Sequence, residues 1–241
     1  STFFLARSLR LAHRAGAVPL LWRALEVYEE LVGPDDEHTL DVLVELAAAL
    51  AAEGQPAEAR ALLEQAFERT GADAALPGIE EKRASVLANL AFVLLEQRDF
   101  SGAAARARES VEGYRRLHPG PHPATVAALN TLGLSLKCLG RIDEADSIYR
   151  ELLQMAAELY DPDSDKLAVF HANYGRLLEE QGRLDDAECS YRTAVAIHER
   201  SAEPEGEHAG ACRDHLGDVR AARLDWAGAR ELYDGASAAL R

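Results

Sequence analysis

The chain has 241 residues, 48% hydrophobic and only 6% aromatic, with 41 acidic against 26 basic side chains and a formal net charge of −15. That balance argues against a nucleic-acid binder, which needs a basic surface to displace counterions, and favours cationic or mixed-charge partners. No apolar run reaches the length that crosses a membrane.

Taken in order, residues 3–15 and 18–32 are predicted to form an irregular helical pair turning at Gly16, with Pro19 in the first turn of its second helix. Phe4, Leu5, Leu9 and Leu11 are helically spaced and interrupted by Arg7 and Arg10, so the start reads as a helix and not as a secretion signal. Residues 1–33 are then a degenerate or capping repeat. From residue 34 onward one template recurs, with turns anchored at Gly54, Arg98, Gly140, Gly182 and Leu224. The expected repeats span about 38–77, 80–117, 122–160, 165–200 and 206–241, forming one continuous array.

Five columns define the template. Seven residues before each anchor stands a small residue: Ala47, Ala91, Gly133, Gly175 and Gly217. One earlier is a large one: Leu46, Leu90, Leu132, Tyr174 and Leu216. Five after the anchor is always alanine: Ala59, Ala103, Ala145, Ala187 and Ala229. Nine after it come Leu63, Ala107, Tyr149, Tyr191 and Tyr233, and twenty before it stands a breaker, Pro34, Gly78, Gly120, Pro162 or Pro204. Two helices cross closely only where side chains are small, so the small columns mark the crossing and the large ones fill the space beside it. The breakers separate one repeat from the next.

This pattern resembles the tetratricopeptide repeats, in the 42-residue version of kinesin light chains. His122-Pro123-Ala124-Thr125 followed by Leu129-Asn130-Thr131-Leu132-Gly133 is similar to that version's entry signature, and Gly140-Arg141-Ile142-Asp143-Glu144-Ala145 to its turn. The resemblance covers about residues 34–241 and implies an all-α, right-handed α-solenoid of antiparallel helix pairs. It also implies that the first helices of successive repeats line a groove. Groove positions are expected at Glu45 in the first repeat, at Asn89 and Phe92 in the second, and at Asn130, Leu134 and Lys137 in the third. The fourth supplies Asn173 and Arg176, and the fifth His215 and Asp218. Asn89 and Asn173 match the second asparagine of the family's LNNLA motif, and Asn130 the first.

Asparagine offers a donor and an acceptor to an extended peptide backbone, whatever the peptide's sequence. The alternative is that these asparagines join helix to helix within the array. Arg176 and Lys137 suit a carboxylate, and Phe92 and Leu134 an apolar side chain. Between Ala24 and Ala59 there is no Lys or Arg while ten positions are acidic, which reads as a solvated face or as a surface for a basic partner.

Chemistry-bearing constellations are sparse. His208, Cys212 and His215 lie on one face of a predicted helix but lack a fourth zinc ligand. There is no phosphate loop, nucleophile elbow or HExxH motif. Cys138, Cys189 and Cys212 are widely spaced and read as reduced thiols of a cytoplasmic protein. The expected function is a non-enzymatic scaffold without cofactor or metal, binding a partner's peptide or helix in the groove. A peptide- or ligand-sensing module of a larger signalling or transcriptional protein is the alternative. Leu232, Leu240 and the alanines between them suggest an uncovered final face, expected either to continue into a longer protein or to pair with a second copy in a homodimer.

Overall fold

The computed structural model describes residues 16–72, 78–200 and 207–239. The expected helix at 3–15 and the breaker Pro204 lie outside them. Among the described residues there are eleven helices and no strand. The chain divides into two compact units, residues 1–120 and 121–241.

The first unit holds α1 (Ala17–Leu31), α2 (Glu37–Ala52), α3 (Pro56–Ala72), α4 (Ile79–Glu96) and α5 (Phe100–Leu117). The second holds α6 (Pro123–Cys138), α7 (Ile142–Leu159), α8 (Asp165–Glu180), α9 (Leu184–Arg200), α10 (Glu207–Ala222) and α11 (Trp226–Ala239). Starts are set by local chemistry. Asp36 and Asp99 accept hydrogen bonds from the backbone amides of His38 and Gly102, both at 2.9 Å, the usual satisfaction of orphan donors at a helix entry. Pro123 opens α6, where its missing N–H costs nothing.

The five anchors share one geometry. Gly54, Gly140 and Gly182 have φ between 71° and 78°. Arg98 and Leu224, with φ 62° and 65°, are the non-glycine residues of positive φ among the described residues. At each turn the next backbone N–H donates to the carbonyl five residues back: Gln55 to Leu50, Asp99 to Leu94, Arg141 to Leu136, Arg183 to Leu178 and Asp225 to Arg220, at 2.8–2.9 Å. This is the Schellman closure, which satisfies an orphan carbonyl at the helix end and needs a left-handed residue. Arginine and leucine occupy that conformation at a cost of about 1–2 kcal/mol each.

The columns seen in the sequence are the inside of the hairpins. All five alanines after the turn are buried. In the first unit Ala47 and Ala91 stand at the crossing, and Leu63 and Ala107 occupy the facing column, all fully buried. A single apolar cluster runs from Leu21 and Leu25 of α1 through Leu43 and Leu50 to Leu90 and Ala103.

In the second unit the crossing is glycine and its partner is tyrosine. A Cβ added to Gly133 would meet the Tyr149 ring at 3.0 Å, one on Gly175 the Tyr191 ring at 2.9 Å, and one on Gly217 the Tyr233 ring at 2.6 Å. Glycine is therefore what lets the ring pass between the helices. Tyr174 is the exception in the large column. It is only half-buried, tilts onto Tyr149 with ring centroids 5.9 Å apart, and donates its hydroxyl to Asp146 Oδ1 at 3.0 Å.

Candidate peptide-binding face

The ten expected groove residues all stand on the first helices of the pairs: α2 and α4 in the first unit, and α6, α8 and α10 in the second. They differ sharply in what they do there.

In the first unit Phe92 is 50% exposed although it lies on a helix whose other face is core. It borders a cavity of about 540 Å³, together with Ala48, Ala51, Leu63, Asn89 and Glu96. The floor is largely methyl groups and the rim polar, a composition suited to an apolar side chain. Asn89 donates Nδ2 to the Ser85 carbonyl of its own helix at 2.9 Å, leaving its Oδ1 and second amide hydrogen for other partners. Asp41 and Lys82 form an ion pair between α2 and α4. Glu45 is half-buried.

In the second unit the structure ties several candidates to one another. Asn173 donates Nδ2 to Asn130 Oδ1 at 3.1 Å, joining α8 to α6. Lys137 Nζ pairs with Glu180 Oε1 at 2.7 Å, and the lysine side chain is only 8% exposed. Lys137 is thus neutralised by a neighbour and is not an open cation. His215 stacks on Tyr191 with centroids 5.4 Å apart and planes 10° from parallel, and Asp218 accepts from the Tyr233 hydroxyl at 2.7 Å. Leu134 is half-buried. Arg176 is exposed and makes no hydrogen bond or ion pair among the described residues.

The sequence reading missed the tyrosine hydroxyls. Tyr149, Tyr191 and Tyr233 belong to second helices, yet their rings thread past Gly133, Gly175 and Gly217 of the first helices. Burial pushes the Tyr149 phenol up, while burial followed by Glu179 does so for Tyr191. The signal was present: glycine in one column and tyrosine in the other occur together in the last three repeats.

The candidate zinc face resolves differently. Cys212 is 4% exposed and burial pushes its thiol up to about 11, which disfavours the thiolate a metal requires. His215 is occupied with Tyr191. The His208 side chain lies outside the described residues. Among the described residues no helix is long and apolar enough to cross a membrane.

The tetratricopeptide repeat family model matches residues 1–70, 82–158 and 124–200. The chain belongs to that family. No curated protein matches the sequence. Among solved tetratricopeptide-like structures, BtubC (BKLC) from P. vanneervenii superposes with a TM-score of 0.80 at 19% identity, over 92% of this chain and 89% of that one. A Podosopora anserina chain of nearly identical, kinesin light chain-like TPR-like repeats gives 0.65 at 20% identity, over 83% and 96%. Rap protein, solved with Competence and Sporulation Factor, gives 0.72 at 17% identity, over 92% and 58%. At these identities the likeness is one of fold. Tetratricopeptide repeats are typically non-catalytic interaction scaffolds, and the expected all-α helix-pair architecture is the one found here.

Proposed function

We propose that this tetratricopeptide repeat protein is a non-enzymatic adaptor that binds a peptide or helix of a protein partner on its first-helix faces. The observation that carries this reading is Phe92, half-exposed beside a methyl-floored cavity of about 540 Å³ on a helix whose other side is tightly packed. A phenylalanine at such a position exposes apolar surface that a partner's side chain would cover. Arg176 and the remaining amide groups of Asn89, Asn130 and Asn173 add polar recognition.

A second reading, a peptide-sensing regulatory module, draws on the likeness to Rap, whose chain is matched over only 58% of its length. The net charge of −15 speaks against nucleic acid as the partner. Two exposed free thiols, Cys138 and Cys189, fit a reducing, cytoplasmic setting. Leu224 and Trp226, 74% and 65% exposed, favour self-association through the last repeat.

The test is affinity capture from native lysate with the wild type and a Phe92→Ser/Arg176→Gln variant, since neither change removes a hydrogen bond or ion pair within the chain. A partner lost from the variant, at unchanged thermal stability, is the expected result. Equal capture by both proteins would move the interface off these faces.

A further inference from the structure

Two tyrosine rings of the second unit are each held between two neighbours. On the inner side lies the crossing glycine of the same repeat, Gly133 for Tyr149 and Gly175 for Tyr191. On the outer side lies a ring from the first helix of the next repeat. Tyr174 of α8 tilts onto Tyr149 with centroids 5.9 Å apart, and His215 of α10 stacks on Tyr191 at 5.4 Å. Both tyrosines are fully buried.

Tyr233 of α11 has only the first of these neighbours. Its ring meets Gly217 as the others meet their glycines, and its hydroxyl is held by Asp218 at 2.7 Å. No ring stacks on its outer side among the described residues, and it is half-buried where Tyr149 and Tyr191 are sealed. The residue two positions after the turn changes in the same way. Pro56, Phe100, Ile142 and Leu184 are half-buried, whereas Trp226 is 65% exposed. Trp226 and Tyr233 stand two turns apart on α11 and so share one stripe of that helix.

We infer that two copies of this chain pair through that stripe, their α11 helices antiparallel, with Trp226 of each covering the outer side of its partner's Tyr233. The ring that α8 and α10 supply at the two preceding steps then comes from the second copy, so the contact continues an interface built twice within the chain. One two-fold rotation covers both exposed rings, which is the self-complementarity an isologous contact demands. Tryptophan against tyrosine also gains from ring packing beyond the area it buries. Charges beside the rings are engaged inside the chain: Asp218 by Tyr233, Asp225 by the Gly228 amide at 3.0 Å, and Arg223 by Asp185 at 2.9 Å. Covering the rings leaves these contacts intact. The pairing rests on the self-association read from Leu224 and Trp226 and names the groups that meet; it uses a second helix and leaves the first-helix face free.

The test is sedimentation velocity of the full chain over a dilution series. Trp226 emission is followed in parallel in a Trp22→Phe background, where it is the one tryptophan left. The expected result is a dimer of the 26.2 kDa chain whose dissociation moves Trp226 emission to the red. Each copy carries a net charge of −15, so added sodium chloride should lower the Kd by screening the repulsion. Trp226→Ala, at an exposed position, should raise the Kd about 30-fold or more, the loss of a central tryptophan. Tyr233→Phe keeps the ring and loses only the bond to Asp218, so it should still dimerise. A chain that is monomeric at every concentration overturns both the pairing and the self-association. A dimer that survives Trp226→Ala, or that forms with no change in Trp226 emission, overturns the pairing alone. The adaptor reading is decided separately, by capture through Phe92 and Arg176.

Discussion

The two units solve the same packing problem with different side chains. In residues 1–120 the hairpins cross through alanine, with leucine or alanine in the facing column; in residues 121–241 they cross through glycine, with a tyrosine ring filling the gap. The first solution is purely apolar and leaves the first-helix face with a methyl floor and Phe92. The second places tyrosine hydroxyls within the hairpins, where two of them bond carboxylates of the first helices, Glu179 and Asp218. A change in two core columns therefore alters the polar groups that the first helices must satisfy.

The largest break of this comparison is Tyr149→Ala. Removing a fully buried ring that only glycine accommodates should cost about 3–5 kcal/mol in urea unfolding. Mild alkali should then act first on the second unit, through the buried thiol of Cys212. Burial raises the Cys212 thiol from 9.0 to about 11. The native state thus holds its proton where the unfolded chain has lost it. Stability is full below about pH 9 and falls as pH rises through 11, by up to about 2–3 kcal/mol. Hydrogen exchange should show residues 121–241 loosening over that window, and Cys212→Ala should remove the part of the loss that begins near pH 9, leaving the part due to the buried Tyr149 and Tyr191 phenols.

Gly175→Ala improves helix propensity yet drives a methyl into the Tyr191 ring, so it should destabilise by about 1–3 kcal/mol. Adding Tyr191→Leu installs the Ala47/Leu63 arrangement of the first unit and should recover most of the overpacking loss; a double-mutant cycle measures that coupling. The smallest effect is shared by both units. Arg98→Gly and Leu224→Gly relieve left-handed backbone and should each stabilise by about 1 kcal/mol, read as a rise in melting temperature.

The fold was legible because repetition turns weak local signals into columns. Arg98 and Leu224 carry no turn signature of their own, yet alignment with Gly54 and Gly140 placed them at turns, and both adopt positive φ. The candidate binding face was less legible, since its residues choose among neighbours that lie a repeat away. Asn130 bonds Asn173 and Lys137 pairs with Glu180, each 43 positions on, one more than the repeat length. Two of the three asparagines therefore join helix to helix, as the alternative reading had it, while Arg176 stays open because Lys137 and Tyr191 engage the acids beside it.

The glycine and tyrosine that lock each hairpin of the second unit are only sixteen residues apart along the chain: Gly133 and Tyr149, Gly175 and Tyr191, Gly217 and Tyr233. The closest packing in this unit is thus made by local contacts, and local contacts give fast folding. A hairpin can close as soon as its second helix leaves the ribosome, before the next repeat has been synthesised.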